Sequence, residues 1–384
     1  MRHPYLDKLA KVLVHYSCAI EPGQLVQLQS DPIAMPLIEA VYEELIRSGA
    51  HVDLRIAPQL FQEILFECAS DKQLEYVSPI NRFAIENIDA RIAFWAETNT
   101  KAMSKIDLKT LAKASSARKE ISSIFMNRSA TGDLRWCGTL FPTLSSAQDA
   151  EMSLRQYEDF VFKAGYLDQD DPVACWKQIE ACQQKAVDYL NGVKKLHFQA
   201  ANGTDLHVNV EGMKWVNCCG KCNFPDGEVF SGPNLSAPDG GVNGIVRFSF
   251  PAVHNGQEVE DVELTFEKGE VVNIKASKNE AFLRAMIEQD AGAKRVGEIA
   301  IGTNFQITGY TKNTLFDEKI GGTFHLALGA GYPETGNNNE SGLHWDMVCD
   351  LRQGGTIKAD GEVFMKDGVF LQEGWPSSDL KVSC

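Results

Sequence analysis

Near residue 192 the apolar residues of this chain change period, and that change limits the fold more than any other feature. Before it, Leu6, Leu9, Leu13 and Tyr16 recur at helical spacing. Pro22-Gly23 ends that helix, and a short strand opens over Leu25 to Leu28. A second helix is predicted over 34–47 with Gly49 at its C-terminal cap, then strands over His51 to Ile56 and Ile88 to Ala96. Strand, helix, strand at this spacing gives a parallel sheet with right-handed crossovers. Further helices are predicted over about 103–128, 153–164 and 172–191, the last with Pro172 in its first turn. After residue 192, Leu196 and Phe198 alternate with polar residues, Asn202-Gly203 makes a tight turn, and Leu206, Val208 and Val210 resume the alternation. Short strands continue between Asn255-Gly256, Lys268-Gly269 and Asp367-Gly368, with one helix at about 278–290.

The predicted fold is therefore an α/β N-terminal domain with a mostly parallel sheet and linking helices over 1–191, then an α+β, antiparallel β-rich domain over 192–384. A length of 384 residues suits two cores better than one. Lys plus Arg number 37 against 52 Asp plus Glu, a net charge of -15 that repels phosphate backbones and anionic lipid. Nucleic acid and membrane partners are not expected, and no run approaches the ~18 apolar residues of a membrane span. The first sixteen residues lack the apolar centre of a signal peptide. Ten cysteines in this length do not make a disulfide framework, so a reducing cytoplasm is the expected home.

Ligand-type side chains gather in the second domain. If Leu343 to Leu351 is a strand, His344, Asp346, Val348 and Asp350 share one face, and Trp345, Met347, Cys349 and Leu351 the other. His344 and Asp346 then project together, about 7 Å apart at Cβ. In Thr323 to Gly329, Phe324, Leu326 and Leu328 form an apolar face, and His325 points the other way between Thr323 and Ala327. Glu228 follows the turn at Pro225-Asp226-Gly227, and Glu298 enters a short apolar strand bounded by Gly297 and Gly302. A carboxylate at a buried strand needs a counter-charge. Three carboxylates in one pocket repel unless cations separate them. Two His, two Glu and one Asp suit Zn²⁺, Co²⁺ or Mn²⁺, and five ligands suit two ions sharing a carboxylate better than one closed tetrahedral site.

These motifs, taken in order, resemble the metallo-aminopeptidase family of aminopeptidase T and aminopeptidase S over nearly the whole chain. The resemblance is carried by Lys8 through Gly23, by Leu154 to Phe160, by Asp171-Pro172-Val173 with Trp176, and above all by Asn223 to Phe230, Gly297-Glu298 through Asn304, Thr323 to Gly329 and His344-Trp345-Asp346. It implies an exopeptidase with two divalent metal ions per chain, Zn, Co or Mn, in a C-terminal catalytic domain. It implies that Glu228, Glu298, His325, His344 and Asp346 are the ligands and that Tyr332 lies at the metal site. It further implies peptide substrates with a free N-terminus, a homodimer, and Glu228 or Glu298 as the proton-shuttling carboxylate, with Glu334 and Glu340 less favoured. Two features depart from the family pattern. The loop from Tyr332 to His344 looks shorter than in some members, and Cys218, Cys219 and Cys222 crowd the approach to Glu228.

Other motifs carry less. Cys219-Gly220-Lys221-Cys222 lacks the second pair of a zinc ribbon and the helix start of a thioredoxin-type site. Gly329-Ala330-Gly331 lacks the third glycine of a dinucleotide loop, and Pro333 blocks the helix. Gly361-Glu362-Val363-Phe364 repeats the Glu228 motif but reads as a plain hairpin, so Glu362 is expected to be structural. His3, His15, His51, His197, His207 and His254 are given no role. The alternatives to an aminopeptidase are a non-catalytic metal or small-ligand binding protein with the same fold, or an oligomeric structural protein whose polar clusters are hydrogen-bond networks.

Overall fold

The computed structural model describes residues 3–378. They form two compact units: residues up to Val173 together with Gly220–Pro225, and Ala174–Cys219 together with the chain from Asp226 onward.

The first unit holds a five-stranded, wholly parallel sheet in the order His51–Ile56, Leu25–Ser30, Ala90–Trp95, Arg135–Leu140, Asn223–Phe224. Val26, Leu28 and Ile92 are fully buried in it. The expected opening helix buries Leu6, Leu9, Leu13 and Tyr16, as an α-helix over Pro4–Lys11 that widens into a π turn over Val12–Ser17. The helix expected over 103–128 is two helices, Leu108–Ala117 and Lys119–Ala130, broken at Arg118. The sequence gives no alternation at Arg135–Leu140, because Gly138 interrupts it. A Cβ at Gly138 would lie 2.4 Å from the Trp95 ring, so only a glycine lets the indole of the neighbouring strand pack there.

The second unit contains an eight-stranded antiparallel sheet whose centre is Val242–Arg247, Asp205–Asn209, Lys195–Gln199 and Thr356–Ala359. Its five-stranded antiparallel sheet runs His344–Asp350, Thr323–Gly329, Val296–Gly302, Glu228–Ser231, Val216–Cys218. The inner faces meet in one core: Leu196, Phe198, Leu206 and Val208 from the first, Ile299, Ile301, Phe324 and Leu326 from the second. The Phe198 and Phe324 rings pack at 4.5 Å between centroids. Each such buried side chain contributes about 1.5–3 kcal/mol.

The boundary expected at residue 192 follows the switch from helix to strand, whereas contacts begin the second unit at Ala174. Ala186, Val187 and Leu190 of the Pro172–Leu190 helix lie in the core of the β-rich unit, and packing decides which unit holds a helix. The turn at Gly220–Pro225 belongs with the first unit, because Asn223–Phe224 pairs beside Arg135–Leu140.

Candidate metal centre

The five nominated ligands come together on the outer face of the five-stranded sheet, opposite the core. Register puts them there. Glu298 is the Cα partner of Ala327, which is the partner of Asp346. His325 lies between Ala300 and Val348, His344 opposite Gly329, and Glu228 opposite Gly302. The alternation expected of the two His-bearing strands holds. Trp345, Met347, Cys349, Phe324, Leu326 and Leu328 are core residues, while His325, His344 and Asp346 turn the other way. Ala300, Gly302, Ala327 and Gly329 occupy the positions between the ligands, and their small size leaves the hollow open.

Glu298 reaches this face through a β-bulge. Val296 pairs with Leu328 and Glu298 with the adjacent Ala327, so two steps on one strand match one on the other. Val296 enters the core, and the extra residue, Gly297, turns Glu298 outward. A Cβ on Gly297 would lie 2.1 Å from the Ala330 carbonyl oxygen, so no side chain fits there.

The two oxygens of Glu298 face different rings: Oε1 lies 3.5 Å from His325 Nε2 and Oε2 lies 3.4 Å from His344 Nε2. Asp346 Oδ1 lies 3.9 Å from His325 Nε2 and 3.6 Å from His344 Nε2, and Glu228 Oε2 lies 3.8 Å from His325 Nε2. Atoms sharing an ion at bonds of about 2.1 Å sit about 3.0–3.6 Å apart, so little movement would close the set around cations. His325 Nδ1 donates to the Glu318 carbonyl at 3.0 Å and His344 Nδ1 to the Ala330 carbonyl at 2.9 Å. Both rings are thereby anchored on Nδ1, and Nε2 is the atom offered to a metal.

The polar atoms left over point to the same use. Glu228 Oε2, His325 Nε2 and Asp346 Oδ1 are buried with no hydrogen-bond partner. Unsatisfied buried donors and acceptors are costly, and three in one hollow are explained by ions that they would hold. The residues therefore fit a divalent metal centre. Two groups of three ligand atoms, Glu228–Glu298–His325 and Glu298–His344–Asp346, share Glu298.

Without cations the charges are strained. Burial works against charge on His325, but Glu298, Glu228 and Asp346 raise its pKa to about 10. Burial likewise opposes charge on His344, and Asp346 and Glu298 bring it to about 10. Burial would raise Glu298, yet the two imidazoles lower it to about 2. Burial pushes Asp346 up to about 6 and Glu228 well above the usual carboxylate range.

Tyr332, from the loop after Thr323–Gly329, packs edge-on against His344 at 5.3 Å and Phe230 at 5.2 Å. Burial and then Glu298 and Asp346 raise its pKa, so the phenol keeps its proton. Glu334, Glu340 and Glu362 are exposed.

Two contributors, Lys319 and Glu318, escaped the sequence reading, and Cys218 lies beside Glu228 as its spacing suggested. Lys319, wholly buried, has its ammonium 3.5 Å from Glu228 Oε1 and is paired to Glu318. Glu318 also has a ligand atom within 4.8 Å of those of His325 and Asp346. Cys218, the Cα partner of Glu228, places its thiol within 4.8 Å of ligand atoms of Asp226 and Glu228. Glu318 and Lys319 follow the short Thr314–Asp317 helix, outside any alternating strand, so no spacing rule marked them.

The thermophilic metalloprotease (M29) family matches residues 2–370. The chain is similar to aminopeptidase 2 of Geobacillus stearothermophilus, 29% identical over 413 residues that cover 96% of this chain and 97% of that one. It is also similar to aminopeptidase T of Thermus thermophilus, 28% identical, covering 88% and 87%. The solved structure of wild-type AmpT from Thermus thermophilus superposes with a TM-score of 0.82 at 25% identity, covering 96% of this chain and 99% of that one.

Proposed function

Because the chain belongs to the M29 family of thermophilic metalloproteases, we propose that its metal centre holds two divalent ions and hydrolyses the first peptide bond of peptides with a free N-terminus. The chain is a hydrolase of the exopeptidase type, as its aminopeptidase relatives are named. The observation that carries the two-ion reading is Glu298, whose two oxygens are directed at two different imidazoles. Glu228, Glu298 and His325 would hold one ion, and Glu298, His344 and Asp346 the other. Zn, Co or Mn in these positions supplies a water of lowered pKa and polarises the scissile carbonyl.

The chain's own groups do the rest. Tyr332 keeps its proton and can donate it in a hydrogen bond to the developing oxyanion. Glu298 has both oxygens directed at imidazoles, and Glu228 lies beside His325 and the Lys319 ammonium. We propose that one of these two carboxylates carries the proton to the leaving amine.

A homodimer is supported by the first unit. The Gln59–Cys68 helix buries none of its residues, and Leu60, Phe61 and Ile64 are 56%, 61% and 45% exposed. Sedimentation as a monomer at micromolar concentration would remove that part of the reading. A cytoplasmic setting suits the free thiols of Cys18, Cys68 and Cys218.

The deciding experiment compares an aminoacyl-arylamide and a short peptide, each with a free and an N-acetylated terminus, in the presence of Co²⁺ or Zn²⁺. Cleavage confined to the free termini is expected. Equal cleavage of blocked and free substrates would reassign the chain to an endopeptidase or amidase.

A further inference from the structure

A second cluster of ligand-type side chains lies on the outer face of the eight-stranded sheet. His197 and His207 are Cα partners on adjacent antiparallel strands, and Asp205 precedes His207 by two residues on the same face. This is the same one-residue gap as in His344-Trp345-Asp346, with Leu206 in place of Trp345 as the core residue between. The imidazoles of His197 and His207 stack with centroids 3.9 Å apart and planes 13° from parallel. Asp205 Oδ1 lies 2.5 Å from His197 Nε2. One ligand atom from each of the three residues falls within 4.8 Å of the others.

The backbone holds this group in place before any ion arrives. The two strands are joined by a tight hairpin in which Gly203 N–H donates to the Ala200 carbonyl at 3.1 Å and Ala200 N–H to the Thr204 carbonyl at 3.1 Å. Thr204 N–H donates to Asn202 Oδ1 at 3.1 Å, and Gly203 takes a φ of +95° that a side chain would disfavour. Leu196, Phe198, Leu206 and Val208 anchor the same strands in the core. Since that core separates the two sheets, the cluster shares no residue with the metal centre described above.

We propose that His197, Asp205 and His207 form a surface site for one borderline transition cation, such as Cu²⁺, Ni²⁺ or Zn²⁺, separate from the catalytic pair. Two imidazole nitrogens and one carboxylate oxygen are the donor set such ions prefer over Mg²⁺ or Ca²⁺. The side chains are open to solvent, with Asp205 62% and His197 21% exposed, so a bound ion keeps water on its remaining positions. Lys358, the Cα partner of His197, opposes a cation, but its ammonium is turned to Gln199 Oε1 at 3.1 Å. The site is therefore weaker than the buried centre, and occupancy follows the free metal concentration. Its consequence is a third ion per chain when metal is in excess, held by a strand pair that plays no part in peptide cleavage.

The test uses the full-length protein loaded with Zn²⁺, gel-filtered, and then titrated with Cu²⁺ while its electron paramagnetic resonance spectrum is recorded. The first equivalent is expected to give nitrogen splitting from two imidazoles. In His207→Ala, with circular dichroism showing the fold intact, the splitting falls to that of one ring and affinity drops about tenfold or more. Asp205→Asn keeps the splitting and weakens binding. Arylamide hydrolysis by Zn²⁺-loaded His207→Ala matches the parent, because the catalytic centre is untouched. An unchanged spectrum and affinity in both His197→Ala and His207→Ala would overturn the proposal, since copper would then be entering elsewhere. A chain that cleaves no peptide would leave this copper signal unaffected, so the two readings fail separately.

Discussion

His344 Nε2 lies 3.6 Å from Asp346 Oδ1 although a tryptophan separates them in sequence. The indole of Trp345 is 2% exposed on the opposite face of the strand. Alternation thus does two jobs in three residues: it seats the strand on the core and presents two ligands to the same hollow.

Glu298→Gln should abolish turnover. The amide cannot bridge two cations as a carboxylate does, and bound metal should fall below two ions per chain by elemental analysis. Unfolding should remain cooperative, because the side chain faces away from the core. Retained activity with two ions bound would refute the bridging role.

Gly297→Ala should be more damaging to stability than its size suggests. The added methyl would meet the Ala330 carbonyl oxygen at 2.1 Å, and the bulge that turns Glu298 outward must shift. Overpacking of this kind costs about 1–3 kcal/mol. Urea unfolding and metal content measured together should both fall.

Tyr332→Phe should lower kcat by about 10²–10³ while leaving metal content near that of the parent, the signature of a lost oxyanion donor. Loss of an ion instead would mean that the phenol oxygen is a ligand.

Lys319→Met should destabilise the metal-free chain. Burial is the largest influence on Lys319 and opposes its charge, but Glu228, Glu318 and Asp226 outweigh it and hold the ammonium protonated. Removing one partner of a buried ion pair costs about 3–5 kcal/mol. Denaturant unfolding in chelator would read the loss, and an unchanged midpoint would show that the carboxylates are neutral without it.

The metal-free chain should lose stability as pH rises from neutrality. His325 and His344 titrate at about 10 in the folded state against 6.5 unfolded. Their contribution is complete below about 6.5 and disappears as pH passes through 10. Asp346, raised to about 6, acts in the same direction at lower pH. Calorimetry in chelator should show a falling midpoint between pH 7 and 10. Metal uptake at pH 7 should release protons, visible as a binding heat that varies with buffer ionisation.

Much of this molecule was legible in its residues. Periodicity separated a parallel α/β part from an antiparallel one, because helical and strand spacing depend only on local backbone geometry. Alternation also assigned His325, His344 and Asp346 to the outward face, since side-chain direction on a strand follows from position alone. What lies between distant strands was not legible. No local rule carries Asn223–Phe224 into the parallel sheet, because that pairing depends on where Arg135–Leu140 already lies. Lys319 and Glu318 enter the site from a loop, and the bulge at Gly297 exists because the Gly329–Ala330 backbone occupies the space beside it. The sequence determined which side chains have ligand chemistry and which way their strands present them. Only the tertiary structure decided that they meet, because the sheet register that joins residues 228, 298, 325 and 346 is a contact between segments far apart in the chain.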